Sequence, residues 1–268
     1  MPHCELVSPD AWRPLRSQTS ARIALGRAGG SLPTSEVLDF RASHAAARCA
    51  VWCDFQAEAV AASLASIVGT TVVLSTHARD KREFLLNPDR GRQLSAKSQA
   101  MLRELSEKSE QPDLALIVAD GLSARAVHDH AEQLVELLWP GFQTHGWRVA
   151  PVVVRFGRVA LQDKIGELLG ARLALTILGE RPGLRVPDSL GAYLVHSPRH
   201  GNTDANRNCI SNIRPAGLPL ADAAETILHL LSEADRLAIS GVGLKDLRAV
   251  SGAAHMTPGA DTFRLAAQ

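Results

Sequence analysis

The sequence predicts an α/β protein: an N-terminal, mainly helical segment followed by a doubly wound, mostly parallel, Rossmann-like sheet with helices on both faces. Three observations carry this expectation. After Pro112 the chain alternates nearly continuous apolar runs with amphipathic stretches in β-α-β-α-β order, the pattern of parallel strands buried on both faces. Each run ends in a glycine-containing turn. Aromatic residues make up 4% of the 268 residues, so the core has to be built from Leu, Ala, Val and Ile.

Residues 1–18 hold three prolines and little periodicity, and read as a tail wrapped loosely over something else. Residues 19–111 form the mainly helical region. In it, "TSARIALGRAGGSLPT" (19–34) is Gly-rich and basic and ends in a Pro-Thr pair suited to a helix start. From Thr34 to Ile67 apolar residues recur at helical spacing, as one long or broken helix. "TTVVLSTHA" (70–78) alternates weakly, as a strand does, and 91–110 reads as another helix.

Residues 112–268 form the α/β region. "DLALIVADG" is its first strand, and Ser123 caps the next helix. "WRVAPVVVRFG" and "RVALQDKIGELLG" are the second strand and helix, and "ARLALTILGERPG" is the third strand with its turn. "GAYLVH" (191–196) is a further apolar piece, and 219–240 is a long amphipathic helix.

Composition narrows the function. Lys+Arg at 29 against Asp+Glu at 28 leaves a formal charge of +1, without the clustered positive charge that nucleic acid or an anionic membrane selects. No apolar run approaches the ~18 residues of a membrane span, and the first residues lack the basic-then-apolar order of a signal peptide. Cys4, Cys49, Cys53 and Cys209 have neither disulfide-framework nor zinc spacing, so a reduced, cytoplasmic protein is expected.

In open parallel sheets, ligands bind at the carboxyl ends of the strands. Here those ends are 119–123, 155–159 and 178–183, the last carrying Glu180-Arg181 in a Pro-Gly turn. If 191–196 is also parallel, "SPRHGNTDANRNCISNIRPAG" (197–217) lies at the same rim as one wall of a site. Its four Asn, one Asp, one Thr, two Ser and Cys209 are short hydrogen-bonding groups, suited to a polar but uncharged ligand. Glu180 reads as a ligand-orienting carboxylate, a catalytic base or a surface charge, with its position favouring the first. Cys209 has no His-Asp arrangement around it, and reads as a small buried residue or weak ligand contact. Asn206, Asn208 and Asn212 also suit turns and caps. "HDH" (128–130) points its rings in different directions and has no third ligand nearby, so no metal site is expected. "GRAGG" (26–30) and "GVG" (241–243) lack nucleotide-loop spacing. No catalytic set emerges.

"GERPGL", "PDSLGAYLVHSP" and "TDANRNCISNIR", preceded in register by "LDFRASHAAAR" and "LIVADGLSARAV", resemble the small subunit of ethanolamine ammonia-lyase from about Thr19 to Asp246. The resemblance implies an adenosylcobalamin-dependent enzyme that converts ethanolamine to acetaldehyde and ammonia by radical chemistry. A large subunit holds the substrate site, and the small subunit covers the corrin. It also implies cobalamin contacts at Val159, Glu180 and Cys209, with Arg207, Asn208 and Ser211 as their neighbours. The corrin is fringed with neutral amides, which fits the composition of 197–217. No His carries the Asp-x-His-x-x-Gly pattern that replaces the cofactor's own base, so a base-on cofactor is expected. Family members that enter bacterial microcompartments carry a longer N-terminal extension than the 18 residues ahead of the matched region here, so a cytoplasmic location is expected first and a microcompartment stays open by family. Two other readings stand beside this one: a self-sufficient enzyme with a nucleotide cofactor, and a purely structural subunit.

Overall fold

The computed structural model describes residues 6–248; Cys4, the first five residues of the expected tail and the end of the expected α/β region lie outside the described residues. The helical part consists of α1 (Thr34–Trp52), α2 (Ala57–Val68), α3 (Lys81–Leu86) and α4 (Ala96–Lys108), with β1 (Val72–Ser75) between α2 and α3. Then come β2 (Leu114–Ala119), α5 (Ala124–Thr144), β3 (Val149–Arg155), α6 (Leu161–Leu169) and β4 (Leu173–Gly179). The chain continues through β5 (Leu190–His196), β6 (Asn208–Ile213) and α7 (Leu220–Leu237).

All six strands form one sheet in the order β1-β3-β2-β4-β5-β6. The first four are parallel, and β5 is antiparallel to both β4 and β6. The two-residue period of β2 divides the core. Leu114, Leu116 and Val118 pack with α2, α5 and α7 on one face, and Ala115, Ile117 and Ala119 pack with α4 and α6 on the other. The doubly wound α/β expectation is therefore met. β1 joins the same sheet, so the helical region shares its core with the strands of the α/β region.

The apolar stretch 34–67 takes the broken form of the expectation, two helices bent by 76°. Neither helix, nor any other single described helix, is long and apolar enough to cross a membrane. The helix expected over 91–110 begins at Ala96, where Ser95 accepts a cap bond from the Ser98 amide, and 88–92 is a 3-10 turn. α3 went unpredicted because six residues are too few to show a period.

The orientation of 191–196 is the consequential correction. It runs antiparallel, so the chain leaves its end, His196, at the rim opposite the carboxyl ends of β2, β3 and β4. The cause is the ten-residue connection from Glu180 to Ser189, which contains no helix. A parallel return needs a crossover of roughly a dozen residues or more. Residues 197–207 therefore sit at the far rim, and β6 carries the chain back. The second half of the polar stretch is this strand.

α1 stands apart from the core. Of its nineteen residues only Ala50 is buried, while Leu38, Phe40 and Trp52 are exposed. Residues 6–31 run beside it, tied by Ser8–Arg27 and Ala28–Ser31 bridges.

Candidate functional site

The three strand tips singled out from the sequence converge. The turns after β2, β3 and β4 line a cleft of about 400 Å³ that includes Gly121, Gly157, Val159, Glu180 and Arg181, with Tyr193 of β5 on its wall. The close approach of the turns requires glycine at Gly179. A Cβ there would fall 2.0 Å from the Ser123 carbonyl oxygen, which belongs to the turn after β2. Ser123 caps α5 as expected, accepting from the Ala126 amide at 3.3 Å, and its Oγ donates to the Pro187 carbonyl at 2.9 Å. A larger cleft of about 560 Å³ lies under residues 6–36, away from the sheet's carboxyl rim.

Glu180 is held by a β-bulge. Leu190 faces Ile213 and Ala192 faces Ile210, so Ser211 and Asn212 together oppose Gly191. The extra residue turns two donors toward the end of β4. Glu180 Oε2 accepts from Ser189 Oγ at 2.7 Å and from the Asn212 amide at 3.1 Å, and Oε1 accepts from Ser211 Oγ. A Cβ on Gly191 would lie 3.0 Å from Glu180 Oε1, so the glycine leaves room for the carboxylate.

Cys209 pairs across the strands with Tyr193, on the same face of the sheet. The residue is exposed, but its sulfur lies against the Tyr193 hydroxyl. Desolvation pushes the thiol upward, a hydrogen bond from Tyr193 opposes the shift, and Glu180 adds to it. Tyr193 itself is pushed well above its ordinary value, first by burial and then by Cys209 and Glu180. A thiol raised in this way is a poor nucleophile at neutral pH.

Val159 and Glu180 thus line one cleft, with Cys209 and Ser211 set beside it against its wall residues Tyr193 and Glu180. Arg207 and Asn208 turn elsewhere. The Arg207 side chain, 5% exposed, is ion-paired with Asp163 of α6 and with Asp204. Asn208 spends its whole amide on the turn after α7, donating to the Gly241 and Leu244 carbonyls and accepting from the Gly241 amide at 2.7 Å. The two histidines of "HDH" diverge. His128 accepts from the Gln56 amide at 3.1 Å, and His130 lies 3.9 Å from Asp188. Among the described residues no group of three metal-ligating side chains forms.

Sequence reasoning missed Tyr193 and Arg158 as wall residues. Tyr193 is the single Tyr in the chain, set inside an apolar strand, and that was a usable signal. Arg158 had none, because a charged residue starting a helix is ordinary.

Asp120, at the tip of β2, is buried, accepts from the Gly157 amide at 3.1 Å and lies 3.5 Å from Lys81 Nζ. Burial pushes its carboxyl above the usual carboxylate range, with Lys81 and the Gly157 amide opposing. A raised native value means that the folded chain keeps this proton to higher pH than the unfolded chain does. The resulting stabilisation is complete below the unfolded value of about 3.9, and is lost as pH rises through the native one. Asp120→Asn lacks this dependence. The stability of the unsubstituted chain relative to Asp120→Asn is therefore expected to fall from mildly acidic to neutral pH in urea unfolding; a flat or rising difference would refute the assignment.

Comparison with known proteins adds an independent line. The family model described as ethanolamine ammonia-lyase light chain (EutC) matches residues 9–245. A protein of Ralstonia nicotianae named ethanolamine ammonia-lyase small subunit is 50% identical over 244 residues, 90% of each chain. Proteins of the same name from Pseudomonas syringae pv. tomato and Azotobacter vinelandii are 49% and 48% identical. The first spans 88% of this chain and 83% of the relative, and the second 90% of each.

Proposed function

The chain belongs to the ethanolamine ammonia-lyase light-chain family, and on that premise we propose that it acts as the small subunit of a lyase that converts ethanolamine to acetaldehyde and ammonia, holding one side of adenosylcobalamin while a large subunit carries the substrate. The observation that supports this reading best is that Val159 and Glu180, separated in sequence, line one cleft at the carboxyl rim, and that Cys209 is paired with Tyr193 of its wall. Bound adenosylcobalamin supplies the radical through cleavage of its cobalt–carbon bond.

The residues present fit one edge of a corrin. Neutral amides each need an acceptor and a donor. The Glu180 carboxylate keeps one acceptor site beyond its three internal donors, and the Ser211 and Tyr193 hydroxyls, whose protons go to Glu180 and Cys209, offer further acceptors. Val159 gives the cleft apolar surface. At about 400 Å³ the cleft is near the small end of the ~300–1,000 Å³ typical of ligand pockets. It takes a rim of the macrocycle and leaves the remainder to a partner. The role of this chain is to hold and orient. Its cleft contains no nucleophile–base pair, and the Cys209 thiol is raised rather than activated.

The test is reconstitution. The pure chain with adenosylcobalamin is expected to show no ethanolamine deamination, and activity should appear when the large subunit is added. Turnover by the single chain, or full activity of the large subunit without it, would overturn the reading.

For the complex, two substitutions have expected outcomes. Glu180→Gln keeps one acceptor oxygen and presents its NH₂ either to Ser211 or to the Ser189 and Asn212 donors. It is expected to weaken cobalamin retention by about 1.5–3 kcal/mol, roughly 10- to 100-fold. Cys209→Ser should cost about 1 kcal/mol or less, read by equilibrium dialysis. Loss of activity in Cys209→Ser with normal retention would make the thiol chemical. The cofactor is proposed to stay base-on, since no His lines the described cleft. Electron paramagnetic resonance of the reduced cobalt should show nitrogen splitting unaffected by ¹⁵N-histidine in the protein, and a label-dependent splitting would refute this.

A further inference from the structure

The cleft carries positive charge that the protein leaves uncompensated. Arg158 follows β3 and is fixed in place. Its guanidinium carbon stands 4.1 Å from the centre of the Phe84 ring, Nη2 donates to the Phe84 carbonyl at 3.1 Å, and its backbone amide donates to the Gly91 carbonyl at 2.9 Å. Its Nε is buried and has no hydrogen-bond partner among the described residues. Arg181 follows β4, lines the same cleft and is exposed. Among the described residues neither arginine has a carboxylate within 4.0 Å, whereas the neighbouring Arg92 and Arg155 each hold one. The carboxylate closest in sequence, Glu180, is committed to Ser189, Ser211 and Asn212. Burial lowers the Arg158 value, and the neighbouring charges of Arg92 and Arg181 lower it further, with Asp120 opposing. Two guanidinium groups lining one cleft, with no carboxylate beside either among the described residues, are a recognition element for an oxyanion.

We propose that Arg158 and Arg181 bind a phosphodiester at this edge of the cleft, namely the one in the nucleotide loop of a base-on cobalamin. The proposal rests on the cofactor reading above and extends it. Glu180, Tyr193 and Ser211 take the neutral rim of the corrin, and the arginine pair takes the one anionic group of the molecule. The two halves of the site therefore separate by charge. Arg181 makes no side-chain hydrogen bond among the described residues, so it is free to swing onto a ligand. Arg158 is stacked in advance and loses little freedom on binding.

The test uses the intact two-subunit complex and equilibrium dialysis with two probes, cyanocobalamin and cobinamide, a corrin that lacks the nucleotide loop and its phosphate. Arg181→Gln and Arg158→Gln are each expected to weaken cyanocobalamin binding by about 10- to 100-fold, with cobinamide affinity unchanged. Inorganic phosphate should compete with cyanocobalamin and not with cobinamide. Arg181→Gln guards against misfolding as an explanation, because the side chain is exposed and unbonded. Equal losses for both corrins would show that the arginines shape the cleft rather than bind phosphate, and unchanged affinity for both would remove them from the site. Phosphate that binds and is not displaced by cyanocobalamin would make this a free-phosphate site. Each of these three results overturns the proposal and leaves the cofactor reading standing. A wild-type complex that binds neither corrin overturns both.

Discussion

Asp163→Ala is expected to lower the unfolding free energy by about 3–5 kcal/mol, the usual cost of removing one partner of a buried ion pair. The Asp163 side chain is 8% exposed and that of Arg207 is 5% exposed. Asp163 Oδ1 also accepts from Asn202 Nδ2 at 2.9 Å. With its amide oxygen turned toward Arg207, Gln162 accepts from Arg207 Nε at 2.8 Å. Removing the carboxylate strands a guanidinium against α6 with only the exposed Asp204 for compensation. The damage should extend to the cleft, because Arg207 immediately precedes β6, the strand that presents Cys209 and Ser211. Under the proposed cofactor role, cobalamin retention is therefore expected to fall in a variant whose substitution lies outside the cleft. Replacing Asp163 by Leu and Arg207 by Met together should cost far less than the single change, since no buried charge is left unpaired. Urea unfolding of the three proteins decides the matter. A single-variant loss below about 1 kcal/mol would mean that water reaches the pair and that it is worth no more than a surface ion pair.

Gly179→Val is expected to cost about 3 kcal/mol or more and to close the cleft. The added carbon would sit 2.0 Å from the Ser123 carbonyl oxygen and 2.9 Å from that of Asp120. Both are backbone atoms fixed by the turn after β2, so a rotamer change cannot relieve the clash. For a chain of this size each kcal/mol lowers the melting temperature by roughly 2–4 °C, so a fall of roughly 6–12 °C is expected. Gly183→Ala, in the connection that follows β4, is the control. Its Cβ would meet nothing nearer than 3.8 Å, so it should fall within about ±0.5 kcal/mol. Similar melting temperatures for the two variants would refute the steric account.

These two sites divide according to what could be read from the chain. Gly179 sits in a strand tip that the sequence marked, because an apolar run followed by Gly and a charged pair is a local pattern. The same holds for Asp120-Gly121, for Gly157 to Val159 and for the Ser123 cap. Asp163 and Arg207 were not legible as partners. They are 44 residues apart, and nothing local distinguishes a buried charge pair from two solvated ones.

Local pattern was therefore enough for the α/β class, the parallel centre of the sheet, the rim where the cleft opens and, through the quoted motifs, the family. It could not orient β5, because a buried strand has the same apolar run in either direction, and only the ten-residue connection hinted at the answer. With β5 reversed, the polar stretch 197–217 splits. Arg207 and Asn208 are drawn into internal bonds at one end of β6, while Ser211 and Asn212 bulge against Gly191 to hold Glu180 at the other. Strand pairing and bulge position depend on contacts between residues far apart in the chain. A polar side chain finds an internal partner or faces a cleft according to what those contacts bring beside it, and a single stretch of sequence does not contain that neighbour.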